Sequence, residues 1–213
     1  MTDRYSHFDA AHLYTLQKRE HRVLRRLQHF GMADLKSHKI LEVGCGNGFW
    51  LSEFVKWGAD PAKITGIDID QERVDEARKR MPASLNVDCA SGASLPYPDD
   101  SFDIVLQSTV FTSLLDPHMR QQVASEMRRV VSGHGLILWY DFHVNNPKNS
   151  CVRRVGQREL RQLFSGCEVC LERITLAPPL ARFLAPWSLT LCAFLERFPF
   201  LRTHYLATIR KIR

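Results

Sequence analysis

A short apolar run, Lys39-Ile40-Leu41-Glu42-Val43, stops at three glycines set two apart, Gly44-Cys45-Gly46-Asn47-Gly48, and leads directly into the amphipathic segment 49–57. The run has the length of a strand and is too short for a helix. Glycines let the chain turn sharply and bring backbone against a ligand with no Cβ in the way. The helix that follows opens with N–H groups that no helical turn satisfies. A strand, a glycine turn and a helix in that order form the opening unit of an α/β sheet. Alone, the loop is equally a plain strand-to-helix turn. It is not the G-x-G-x-x-G dinucleotide fingerprint, whose third glycine would fall on Phe49, and no Gly-Lys-Ser/Thr follows to make a phosphate loop.

The rest of the chain repeats the unit. Strands are expected over 64–69, 84–89, 102–107 and 136–142, separated by helices over 71–81 and 117–131, the latter with Pro117 in its first turn. Runs such as Ile104-Val105-Leu106 and Leu136-Ile137-Leu138 suit strands buried on both faces. Alternation of strand and helix implies a parallel sheet covered on both sides. A helix over 157–164 and strands over 168–176 and 204–211 complete the pattern. Ahead of it, 10–30 reads as a helix from the spacing of Leu13, Leu16, Val23, Leu24 and Leu27. At 213 residues the chain suits one domain, 1–213. It divides into an N-terminal helical lid (1–36), a core (37–176) and an apolar, proline-punctuated helical insert (177–203). Tyr5, Tyr14 and Gln17 are candidate lid residues.

Asp68 ends the second strand, where a carboxylate can accept two hydrogen bonds from a ribose diol. Asp70, close by, suits a helix cap. Asp88-Cys89 ends the third strand, and Leu95-Pro96-Tyr97-Pro98-Asp99-Asp100-Ser101-Phe102-Asp103 turns into the fourth. Together with Ile40–Gly48 and Gly66-Ile67-Asp68-Ile69, these segments resemble the successive motifs of class I (Rossmann-like) S-adenosylmethionine-dependent methyltransferases, nearest to their small-molecule and lipid branch. The resemblance covers 39–142. It implies an α/β three-layer sandwich with a mostly parallel seven-stranded sheet whose last strand runs antiparallel. It implies S-adenosylmethionine as cofactor, with Gly44, Cys45, Gly46 and Gly48 lining its methionine and ribose and Glu42 orienting the loop from below. Asp68 would hold the ribose, Ile69 would pack on the adenine, Asp88 and Cys89 would meet its edge, and Gln107 would lie near the methionine end. Where many relatives carry a histidine pair after the fourth strand, this chain has Thr112-Ser113. Asp141 and His143, after the fifth strand, are the candidate catalytic residues, with His118 behind them.

The acceptor is expected to be a small molecule, a sugar or a lipid-linked compound, methylated at oxygen. Gln107-Ser108-Thr109-Val110 does not match the Asn/Asp-Pro-Pro-Tyr motif of nucleic-acid amino-methylases. Asn145-Asn146-Pro147-Lys148 lacks its aromatic, and no basic stretch is interleaved with aromatics. Nucleic acid is therefore disfavoured, although the net charge of +6 and pI near 9.1 favour anionic partners of some kind. The insert could cover the substrate pocket or make a peripheral membrane contact. Six scattered cysteines and a polar N-terminus fit a cytoplasmic setting, possible membrane association aside. Cys167 and Cys170 have C-x-x-C spacing but sit on a strand with no second pair, so no metal is expected. The other reading is a non-catalytic module that keeps the fold for binding or regulation.

Overall fold

A computed structural model describes residues 6–145 and 149–212. Tyr5 and the Asn146-Pro147-Lys148 part of the loop lie outside the described residues. Seven strands form one sheet: β1 (Ile40–Val43), β2 (Ile64–Asp68), β3 (Asn86–Cys89), β4 (Phe102–Ser108), β5 (Val131–Phe142), β6 (Cys167–Leu176) and β7 (Arg202–Lys211). Their order is β3-β2-β1-β4-β5-β7-β6. Pairings are parallel from β3 through β5, and β7 runs antiparallel to both of its neighbours. The α/β sandwich with its reversed last strand is thus the one the motifs implied.

Strand side chains alternate between faces, so each strand feeds two apolar layers. Ile104, Leu106, Leu136, Leu138 and Tyr140 belong to one layer, under α2 (Phe49–Lys56) and α3 (Gln71–Arg80). Val105, Ile137 and Trp139 belong to the other, under α4 (Pro117–Val130) and α5 (Gln157–Leu163). Asp70 caps α3, accepting from Glu72 N at 3.0 Å, and Asp116 caps α4 the same way through His118 N at 2.9 Å. His118 is therefore a first-turn helix residue.

The N-terminal helix α1 (Ala10–His29) is built in along its length. Val23 and Leu27 are fully buried beside Trp50 and Phe54 of α2. Its first turns pack instead on the insert, which holds α6 (Pro178–Leu184) and α7 (Leu189–Leu195). The Tyr14 hydroxyl donates to Glu196 at 2.7 Å. The insert leaves the carboxyl end of β6 and returns at the start of β7, which places it at the carboxyl end of the parallel strands. Cys167 and Cys170 lie on β6, half-buried and exposed respectively, and no group of metal-ligating side chains occurs among the described residues.

Candidate active site

The sheet order reverses between β1 and β4, and such a switch point is where open α/β sheets hold ligands, in a crevice beyond the carboxyl ends of the strands. The glycine loop forms one wall. Gly44 has φ +74°, and a Cβ on it would overlap Val110 Cγ2 from the loop after β4. The two loops can approach this closely only because residue 44 has no side chain. Gly46, at φ +51°, has nothing within 4 Å of where its Cβ would stand, so its backbone faces open space.

Asp68 fastens the loop to the tip of β2. Its carboxylate accepts from Gly46 N at 2.8 Å and from Asp70 N at 3.0 Å. Only 6% of the residue is exposed. Glu42 lies below, fully enclosed, with Oε2 lacking any hydrogen-bond partner. Burial pushes its carboxyl well above the usual range, and Asp68 nearby pushes the same way. A buried acid with an unsatisfied oxygen costs free energy unless a donor or a cation arrives.

The second wall follows from β2 and β3. Ile69 is 77% exposed although Ile67 and Asp68 before it are buried, leaving an apolar side chain free for a flat ligand. Asp88 accepts from Tyr97 OH at 2.9 Å and from Asn86 Nδ2 at 2.6 Å. Burial and Asp88 together raise the Tyr97 phenol, which stays a hydrogen-bond donor. Cys89 is exposed, its Sγ 3.6 Å from the Ile69 carbonyl. Cys45 is buried under the loop.

The third wall comes from β4 and β5. Gln107 is buried, accepting from Val110 N at 3.0 Å and donating to the Tyr140 carbonyl at 3.3 Å, so its amide holds the loop in place. Thr109 sits at φ +61°, a conformation rare for a β-branched residue and costing about 1–3 kcal/mol. Asp141 is fully buried and accepts from Thr112 Oγ1 (2.6 Å), Thr112 N (3.1 Å) and Phe142 N (3.0 Å). Burial outweighs these bonds and raises its carboxyl to about 7. His143 is half-buried and stacks on Tyr205, with ring centroids 4.2 Å apart. Its Nε2 has no partner among the described residues, and burial lowers its pKa, so the ring is neutral.

Arg19 reaches in from α1. Its guanidinium stands over Phe49, Trp50 and Tyr140, at 5.3, 4.8 and 5.0 Å from the ring centres. Its charge lowers the carboxyl of Glu42.

Residues 40–135 match the family model described as a methyltransferase domain. The matched stretch is a little under half of the chain, so residues 40–135 resemble a methyltransferase domain. Among relatives, it is 33% identical over 132 residues to the phthiotriol/phenolphthiotriol dimycocerosates methyltransferase of Mycobacterium tuberculosis, covering 61% of this chain and 47% of that protein. It is 34% identical over 110 residues to a fatty-acid O-methyltransferase of Mycolicibacterium smegmatis, covering 51% and 39%. A tRNA N(3)-cytidine methyltransferase of Gallus gallus shares 31% over 114 residues, covering 50% and 30%. The chain thus spans about half the length, or less, of these curated relatives. A solved SAM-dependent methyltransferase from Archaeoglobus fulgidus shares the fold at TM-score 0.63, with 18% identity over 94% of this chain and 98% of that one.

The cofactor of class I methyltransferases, S-adenosylmethionine, suits the residues present. Glu42 with its partnerless oxygen matches an ammonium group, Asp68 a diol, Ile69 and the Asp88–Tyr97 pair an adenine, and bare Gly46 a close-lying chain. The same region holds residues with no clear mark in the sequence. Arg19 lies three residues after buried Leu16 and four before buried Val23, on the inner stripe of α1, a signal lost in the run of charged neighbours. The pairing of Tyr97 with Asp88, and of Thr112 with Asp141, joins separate loops and left no local pattern.

Proposed function

We propose that this chain transfers a methyl group from S-adenosylmethionine to an oxygen of a small-molecule or lipid-linked acceptor. The observation that carries the reading is the crevice at the β1/β4 switch point. There Gly46 faces open space and Ile69 stands exposed, with Asp68 fastening the loop and partnerless Glu42 enclosed beneath it. The names of two relatives, which act on a phthiotriol lipid and on fatty acids, support a lipid acceptor. When bound, S-adenosylmethionine supplies an electrophilic methyl group on a sulfonium sulfur.

The chain's own part is alignment and proton handling. Asp68 and Ile69 hold the nucleoside end, and Glu42 with Arg19 fixes the amino-acid end, closing α1 over the site as a lid. His143 would serve as the base, taking the acceptor hydroxyl proton as the oxygen bonds to the methyl carbon and the carbon–sulfur bond breaks, the sulfur leaving as a neutral thioether. Asp141 is a positioning residue, since its oxygens are spent on Thr112 and Phe142 and fix the loop after β4.

Incubation with methyl-labelled cofactor and a panel of fatty acids, hydroxylated lipids, sugars and tRNA tests the reading. Label is expected in an alkali-labile ester or a stable ether of the lipid or small-molecule fraction. Label confined to tRNA would contradict it.

A further inference from the structure

We propose that α6 and α7 form a docking face for an anionic lipid bilayer, holding the acceptor end of the sheet at the lipid surface. The two short helices stand at the carboxyl end of the strands. Leu176 leads into them, and Arg202 leads out beside the end of β5, where His143 N donates to the Thr203 carbonyl at 2.9 Å. Their inner side is already satisfied. Ala181, Ala185 and Cys192 are buried against Ala11 and Tyr14 of α1, and Tyr14 is tied to Glu196.

The outer side of such a helix pair should be polar. Here Phe183, Trp187 and Phe200 are 72, 85 and 76% exposed, and Phe8, just ahead of α1, is 97% exposed. Phe194, Phe198 and Phe200 form a continuous row, with centroids 5.6 and 5.8 Å apart. Single exposed apolar residues are ordinary; a row of aromatics beside further exposed ones marks an interaction surface.

The charges around the row choose the occupant. Exposed Arg182 and Arg197 sit among the aromatics, and Glu196, held by Tyr14, is the insert's single acid. Aromatic side chains interleaved with uncompensated arginines suit the boundary between anionic headgroups and acyl chains. The same arginines would repel those of a second copy meeting this face. Among the described residues no helix is long and apolar enough to cross a membrane, so this face would lie on the bilayer. The inference rests on the lipid-acceptor reading for its purpose. The two fail separately, because vesicle binding needs no cofactor and methylation of a detergent-dispersed lipid needs no bilayer.

Trp187 is the natural reporter, since Trp50 and Trp139 are buried and Trp57 is half-buried. The full chain, mixed with vesicles of phosphatidylcholine and phosphatidylglycerol, is expected to co-sediment and to show a blue shift of tryptophan emission. Phosphatidylcholine alone should give neither. Phe183→Ser with Phe200→Ser should abolish binding, and Arg182→Gln with Arg197→Gln should weaken it about thirty-fold. Thermal melts should leave both double variants as stable as the parent. Equal binding to both vesicle types, or unchanged binding by the variants, would overturn the proposal. So would a dimer in sedimentation velocity that dissociates in the Phe183/Phe200 variant while vesicles bind nothing.

Discussion

Gly44 shows how one missing side chain sets the distance between two loops. Gly44→Ala forces a left-handed alanine and pushes Val110 away, costing about 1–2 kcal/mol for the backbone and about 1–3 kcal/mol for the overlap. Denaturant melts should show a stability loss within the sum, and cofactor binding should weaken with it. His204 gives a pH signature. It stacks on Tyr140 at 4.9 Å, and burial, with Arg19 close by, lowers its pKa to about 3 against about 6.5 in the unfolded chain. Its contribution is therefore complete above pH 6.5 and is lost as the pH falls toward 3, amounting to about 2 kcal/mol at pH 5. Asp141 works in the opposite sense, because its folded value is raised: stability is gained as the pH falls below 7. The difference between wild type and His204→Phe isolates the histidine. Melts at pH 7.5 and pH 5 should show the variant losing about 2 kcal/mol less than wild type.

At the scale of elements, two arginines join parts that lie far apart in sequence. Arg120 in α4 is wholly buried. It donates to the Leu114 carbonyl at 2.6 Å, to Glu159 at 2.6 Å and to the Arg153 carbonyl at 3.0 Å. Arg120→Ala strands two carbonyls and leaves Glu159 with Arg153 as partner, and should cost about 2–5 kcal/mol in a urea melt. Arg19→Ala removes the cation from the Phe49, Trp50 and Tyr140 rings; a loss of about 1–2 kcal/mol in cofactor affinity is expected, with partial recovery in Arg19→Lys. Six strands were legible through their apolar residues; β3, with only Val87 buried, was legible from its place in the alternation of strand and helix. β5 begins at Val131, earlier than the expected 136, because Ser132-Gly133-His134-Gly135 reads as a turn. It is strand because it pairs across a register shift at Phe102 and Ile104 of β4, a long-range fact with no local mark. β7 likewise begins at Arg202, whose guanidinium binds the Arg173 and Arg197 carbonyls and draws the chain into the sheet. The candidate residues Asp68, Asp88, Asp141 and His143 were legible from their places after strands. Their partners Thr112 and Tyr205 were not, because they meet Asp141 and His143 only through the fold.

For the molecule as a whole, sheet order places everything. The reversal between β1 and β4 sets the switch point, the glycine loop and Asp68 stand beside it, and the insert stands at the same end of the strands. The central claim is that this crevice holds S-adenosylmethionine through Asp68. Isothermal calorimetry with the cofactor, on wild type and on Asp68→Ala shown by melting to be folded, tests it most directly. Wild type should bind one equivalent, and the variant should bind at least about ten-fold more weakly, from the loss of charge-assisted hydrogen bonds. No binding by wild type, or equal binding by both, would contradict the account.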